Sequence, residues 1–171
     1  MTDIRLFDAH VHWQNYPGAA ELSAARARTA SAGVRLSLCA GTRPGDWEKV
    51  GLLASADKVL LPCFGLHPWF VEEAGEGWLP LLEKFLLGSP SCLGEIGLDK
   101  ASDADFSLQE TVFRAQLKLA VKLDRPAVIH CVRAWGVMTE ILKEERPPAF
   151  ALHAYGGAPE MTAELARLGG Y

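Results

Sequence analysis

The sequence predicts an α/β protein of the (β/α)8 TIM-barrel type, with about six β/α units present, in a single domain covering residues 1–171 that is incomplete at its C-terminal end. Three observations carry this expectation. Strand-like and helix-like runs alternate from end to end, which favours a parallel sheet. The histidines sit in short, strand-like, apolar or glycine-containing motifs, as polar groups do at the C-terminal ends of barrel strands. The chain is also shorter than the ~250 residues of a closed eight-stranded barrel, so about a quarter of one is absent.

Taken in order, the first strand is expected over residues 5–12, where the polar group at 10 recurs at 12. A helical pattern over 19–32 leads to an apolar strand at 34–40. The next helix is expected at 46–56, with Asp46 placed to cap it. A strand at 59–66, a helix at 78–87 and a strand at 91–98 follow. Ser107-Leu108-Gln109-Glu110 reads as a capping box opening a helix to 123, in which Val112, Phe113, Leu117, Ala120 and Leu123 recur at helical spacing. The last units are a strand at 126–131, a helix at 134–145, a strand at 149–154 and a helix at 159–168. Residues 42–45 and 72–77 read as surface loops, and Gly169-Gly170-Tyr171 as the entrance to a seventh strand. In an incomplete barrel the first and sixth strands would expose unpaired edges, which invites self-association.

Hydrophobic residues make up 49% and charged residues 22% of the chain, ordinary for a globular protein. No apolar run approaches the ~20 residues that span a bilayer. Residues 1–5 enter a strand pattern without the apolar core of a secretory signal, so a cytoplasmic location is expected. Cys39, Cys63, Cys92 and Cys131 are widely spaced within or beside apolar runs, which suits reduced, mostly buried thiols. A net charge of −4 argues against a broad basic surface for wrapping duplex DNA. It leaves room for a nucleic acid at a metal site, where bound divalent ions would offset the acidity locally.

His10 and His12 share parity on one strand and stand about 6.6 Å apart along it, so both imidazoles can converge on one ion. Glu95 follows Gly94, and a carboxylate at a strand end can bridge two ions. His130 and His153 each end a short apolar run and match a second ion beside the first. Two ions ~3.5–4 Å apart can activate water and stabilise an in-line phosphoryl displacement. Asp99 reads as a group behind the ligands or facing substrate. Asp8 shares parity with His10 and could hold an imidazole tautomer. His67, held extended by Pro68, could orient a phosphate or serve as a core residue. Arg133 is a candidate phosphate contact or a solvated helix-start charge. Trp69, Trp135 and Tyr155 follow these motifs and could stack on bases or pack in the core. Mixed imidazole and carboxylate ligation suits Zn, Mn, Ni or Fe, and Mg less well.

The motif set resembles the TatD-related deoxyribonucleases of the amidohydrolase-like barrel superfamily. The resemblance rests on Phe-Asp-x-His-x-His at 7–12, Gly-Leu-His-Pro at 65–68, Gly-Glu-Ile-Gly-Leu-Asp at 94–99, Gln109-x-x-x-Phe113-x-x-Gln116, Ile-His-Cys at 129–131 and Leu-His-x-Tyr-x-Gly at 152–157. It covers the whole chain in order. It implies two divalent metal ions, with His10 and His12 on one, His130 and His153 on the other, and Glu95 bridging them. It also implies hydrolysis of DNA phosphodiesters, from single strands or 3′ ends, with Glu95 at the catalytic centre. The family has a further Asp in a Thr-Asp-x-Pro context after its eighth strand, which would lie beyond Tyr171. Its absence implies reduced turnover and weaker binding of the His10/His12 ion. Two other departures are Lys100, where an aromatic is common, and Arg133, which follows His130 by three positions rather than two. Two rival readings accompany the nuclease. One is a chain that binds metal or nucleic acid without turnover. The other is an enzyme of the same fold acting on a small amide, lactone or phosphoester, because activated water attacks carbonyl and phosphoryl centres alike.

Overall fold

Alternation of apolar runs with amphipathic helices produces one parallel sheet whose strands follow chain order. The computed structural model describes residues 5–171, so residues 1–4 of the N-terminal expectation lie outside it. The strands are β1 (Leu6–Val11), β2 (Val34–Ala40), β3 (Leu60–Phe64), β4 (Cys92–Asp99), β5 (Ala127–Val132) and β6 (Phe150–Leu152). The helices are α1 (Ala19–Ser31), α2 (Pro44–Ala56), α3 (Trp78–Gly88), α4 (Phe106–Leu123), α5 (Trp135–Glu145) and α6 (Thr162–Arg167). All neighbouring strands pair in parallel, in the order β1-β2-β3-β4-β5-β6. The sheet curls into part of a barrel: the ring of His153, just past β6, stacks on that of His10 in β1 with centroids 3.7 Å apart.

The core lies where the helices cover the middle strands. In β4 all residues after Cys92 are buried, and Leu93, Ile96 and Leu98 are fully enclosed with Phe113 and Leu117 of α4. By contrast, β1 is an edge strand, with Leu6 and Phe7 about half exposed (46% and 52%). Its companion α1 buries only Ala25 fully. Cys39, Cys63 and Cys131 are buried and Cys92 half-buried, all as free thiols. Among the described residues no helix is long and apolar enough to cross a membrane.

Local details depart from the sequence reading. The fourth helix opens one residue earlier than expected, and its cap is Asp105, not Ser107. The Asp105 carboxylate accepts the Leu108 amide at 2.8 Å and the Ser107 hydroxyl. That hydroxyl is therefore engaged as a donor, and the expected box with Glu110 does not form. Asp46 sits at the third position of α2 rather than in front of it, because Pro44, free of any need to donate, starts the helix. Its carboxylate reaches back to the Thr42 amide at 2.9 Å and the Thr42 hydroxyl at 2.8 Å. So half of the loop expected at 42–45 is helical. The edge of β6 is not bare: Phe150 N–H donates to Gly169 O at 3.1 Å and Tyr171 N–H to Phe150 O at 2.9 Å. Residues 169–171 thus run beside β6, as the expected strand entrance would.

Candidate metal centre

Two β-bulges place the central groups. Between Leu93 and Ile96, β4 advances three residues while β5 advances two, from Ala127 to Ile129. The extra residue lies at Gly94–Glu95 and re-aims the side chain, as bulges beside active sites do. A second bulge falls between Asp8 and Val11, opposite Ser37 to Cys39. Glycine is obligatory around β4. Gly97 has φ 144°, and a Cβ there would stand 1.9 Å from the His130 carbonyl oxygen. A Cβ on Gly65 would stand 1.7 Å from Gly94 O, so the strands approach too closely for any side chain.

Glu95, 4% exposed, is the hub. Its Oε2 lies 3.2 Å from Nε2 of both His10 and His12. Its Oε1 lies 3.4 Å from His67 Nε2 and 3.3 Å from His130 Nδ1. Burial alone would raise its pKa, but these imidazoles hold the carboxyl far below its ordinary value. His153 joins through His10, and the donor atoms of His10, Glu95 and His153 lie within 4.8 Å of one another. Those of His67, Glu95 and His130 do likewise. His153 therefore sits with His10, whereas the sequence reading had set it beside His130. The curl of the sheet, not strand adjacency, decides this. Burial and the neighbouring His10 lower the His153 pKa.

Backbone partners settle the tautomers. His12 Nδ1 lies 2.8 Å from Ala40 O, which only accepts, so Nδ1 carries the hydrogen. The Nε2 lone pair of the neutral ring then faces the Glu95 carboxylate and, at 3.1 Å, His10 Nε2. Converging acceptors repel unless a cation lies among them, and the Glu95 contact accordingly raises the His12 pKa against the opposing effect of burial. The buried His10 Nδ1 has no hydrogen-bond partner. Buried imidazole lone pairs around a carboxylate are a donor set that fits a divalent transition metal.

His67 differs. Its Nδ1 accepts the Trp69 amide at 3.2 Å, so the neutral ring carries hydrogen on Nε2 and donates toward Glu95. Burial lowers its pKa despite that carboxylate, which favours this neutral form. It is a hydrogen-bond donor at the site rather than a ligand through Nε2.

Asp99 stands behind His130, with Oδ2 3.1 Å from Nε2. It also accepts the Trp69 indole N–H at 2.6 Å and the Ala101 amide at 2.8 Å. Burial would raise the Asp99 pKa, but these donors keep it below its ordinary value. Burial alone would lower the His130 pKa; Glu95 and Asp99 outweigh it and raise it. With hydrogen on Nε2, the His130 Nδ1 lone pair is directed to the Glu95 side. Asp8 does not touch the His10 ring: its carboxylate accepts the His10 backbone amide at 3.2 Å. The bulge in β1 breaks the parity on which the ring contact was expected. Arg133 is exposed just past β5 in a left-handed conformation, φ 52°.

Two buried glutamines, named in the sequence only as part of the Gln109-x-x-x-Phe113-x-x-Gln116 motif, have a structural role that the sequence reading did not assign. Gln109 accepts the Asp99 amide at 2.8 Å and donates to Asp99 O and Ala104 O. Gln116 accepts the Leu66 amide at 2.7 Å and donates to Leu66 O at 3.0 Å. They clamp the backbone that carries Asp99 and His67. The signal was present, since both lie within the apolar stripe of α4, where a polar residue must have a partner.

A family model described as TatD related DNase matches residues 7–171. A protein named uncharacterized metal-dependent hydrolase YjjV, from Escherichia coli K12, is 29% identical over 170 residues, covering 96% of this chain and 66% of its own length. The 3′-5′ ssDNA/RNA exonuclease TatD of Klebsiella pneumoniae is 31% identical over 153 residues, covering 84% of this chain and 56% of its own. The crystal structure of E. coli YjjV superposes with a TM-score of 0.91 over 97% of this chain and 66% of that one, at 29% identity. An Entamoeba histolytica TatD-family hydrolase gives 0.81 at 20% identity, covering 97% and 63%, which speaks for the fold. The chain thus spans about two thirds or less of the length of these relatives.

Proposed function

Because the chain belongs to the TatD-related DNase family, we propose that it is a metal-dependent phosphodiesterase that cleaves nucleic acid with a two-metal-activated water, its substrate being DNA in single strands or at 3′ ends. The observation that carries this reading is Glu95, with four imidazoles holding ring nitrogens within 3.4 Å of its oxygens. A relative named as an ssDNA/RNA exonuclease supports the substrate class.

His10, His12, Glu95, His130 and His153 would hold the ions. Bound divalent ions lower the pKa of water and offset charge on phosphoryl oxygens. The chain supplies the rest. Asp99 keeps hydrogen on His130 Nε2 and so leaves Nδ1 free. Glu95, ionised through its imidazole neighbours, offers oxygens to both sides of the centre. His67 directs its one N–H at Glu95 and so helps hold that carboxylate in place, and the exposed Arg133 can neutralise a phosphate arriving past β5. Asp8 fixes the backbone at His10.

Metal content per chain, measured by elemental mass spectrometry on protein purified without chelator, tests the centre. The expected result is close to two ions, with release of nucleotides from single-stranded DNA. Absence of bound metal, or bound metal with no hydrolysis of any phosphodiester, overturns the proposal.

A further inference from the structure

Of the five tryptophans, Trp13 and Trp47 are buried, Trp78 and Trp135 half-buried, and Trp69 is 55% exposed. An exposed indole forgoes much of the burial such a side chain ordinarily gains. Trp69 is nonetheless held firmly. Its N–H donates to Asp99 Oδ2 at 2.6 Å, and its backbone amide donates to His67 Nδ1. Its ring centre lies 4.9 Å from that of His67 and 6.2 Å from that of His130, and neither imidazole lies parallel to it (80° and 75°). A flat apolar surface is thus fixed at the rim of the candidate metal centre without a parallel partner there.

That surface borders a cleft of about 470 Å³ lined also by Glu72, Asp99, Ala101, Ser102, Asp103 and Ala104. Glu72 and Asp103, with the already bonded Asp99 behind them, make this cleft hostile to a phosphate. They accept a neutral ring, whose N–H edges can donate to carboxylates. A nucleotide entering here would split by chemistry, with its phosphate toward the imidazole cluster and its base toward the indole and the acidic cleft. We propose that Trp69 is the stacking platform for the nucleobase adjoining the scissile phosphate, and that the cleft beside it receives that base. The inference rests on the phosphodiesterase reading above and adds to it a residue that determines specificity.

Two diesters with the same leaving group isolate the base: thymidine 5′-(p-nitrophenyl phosphate) and methyl p-nitrophenyl phosphate, assayed with the Mn²⁺-loaded full chain. Base stacking on an aromatic side chain supports roughly a ten-fold effect. The expected result is that Trp69→Leu lowers the thymidine-to-methyl ratio of kcat/KM by about ten-fold, through KM. Trp69→Phe, which keeps a ring but lacks the N–H to Asp99, should restore most of that ratio. A Leu variant with an unchanged ratio overturns the platform. A second readout needs no turnover. Thymidine 5′-monophosphate should quench the tryptophan fluorescence of the metal-free chain saturably, inorganic phosphate should not, and the quench should vanish in Trp69→Phe. A quench that persists in that variant overturns the platform. Hydrolysis of both diesters with no preference for the nucleoside overturns the platform and leaves the phosphodiesterase standing. Hydrolysis of neither, with a Trp69-dependent quench, overturns the phosphodiesterase and with it the platform's place beside a scissile phosphate, leaving Trp69 as a base-binding surface alone.

Discussion

The two sides of the sheet contribute to the same cluster but are built differently. On one side, β4 and β5 carry Glu95, Asp99 and His130 from strands packed under α4, with glycines allowing backbone approach and Gln109 and Gln116 clamping the loops. On the other, β1 carries His10 and leads into His12 from a half-exposed edge beside α1, which buries one residue fully. The difference teaches where precision resides. The carboxylates that set the charge of the site are immobilised by the core, whereas the His10/His12 pair sits on a half-exposed edge, fixed through its backbone by Asp8 and through its rings by Ala40 O, Glu95 and His153.

The harshest test of this contrast is Gly97→Ala. A methyl group at φ 144° would press on the His130 carbonyl oxygen, which is backbone and cannot swing away. We expect a loss of about 3 kcal/mol or more in urea unfolding, together with reduced metal uptake. Gln109→Leu should cost less, about 2 kcal/mol, because it strands the buried Asp99 amide and removes one donor each from the Asp99 carbonyl, which keeps the Ser102 hydroxyl, and the Ala104 carbonyl. Equal stability of the two variants and the wild type would show that the β4–β5 side is not the rigid one.

Much of this architecture is legible in the sequence. The six strands and six α-helices follow from alternation and periodicity, and the groups at 10, 12, 67, 95, 130 and 153 stand within or just past strands that a parallel sheet brings together. What was hidden depends on partners. The bulges at Gly94–Glu95 and near His10 exist only relative to β5 and β2, so the parity that linked Asp8 to the His10 ring could not survive. Ser107 and Asp105 both have capping chemistry, and only the geometry of the entering chain chooses the carboxylate. The pairing of His153 with His10 reflects curl across the whole sheet, a long-range property. The tautomers of His12 and His67 hinge on one carbonyl and one amide that no local pattern announces.

A gentler probe addresses the edge side through pH. The His12 pKa is raised above 6.5 in the folded metal-free chain, first by Glu95. A raised folded value means that the protonated ring stabilises the fold fully below pH 6.5 and that this contribution fades as pH rises through the folded pKa. The stability difference between wild type and His12→Gln, both metal-free, should therefore be largest below pH 6.5 and shrink above it. His67, whose value burial lowers, acts in the opposite sense in both proteins and largely cancels in the difference, while His153, lowered first by burial and in small part by His12 itself, acts less strongly in the variant. A difference that grows with pH would refute the assigned contact with Glu95. Added divalent metal competes with the same proton, so the stabilisation it confers should grow as pH rises.

The smallest effect has the opposite sign to the first and uses the same substitution. Gly51 lies within α2, which packs on β2, β3 and α3. A Cβ built there meets only Phe64 Cζ, at 3.9 Å, an ordinary contact. The methyl would enter an open groove between α2 and α3 that Gly51, Phe64 and Phe85 help to line. Without a clash, two terms remain. Alanine restricts the unfolded chain more than glycine does, and it adds apolar contact to a loosely filled seam. Gly51→Ala should thus stabilise the fold by about 0.5–1 kcal/mol. Differential scanning calorimetry of Gly51→Ala and Gly97→Ala should then move the transition in opposite directions. Destabilisation by both would mean that the α2–α3 seam is as tightly specified as the β4–β5 contact, and the division of the molecule into a precise side and a tolerant one would fall.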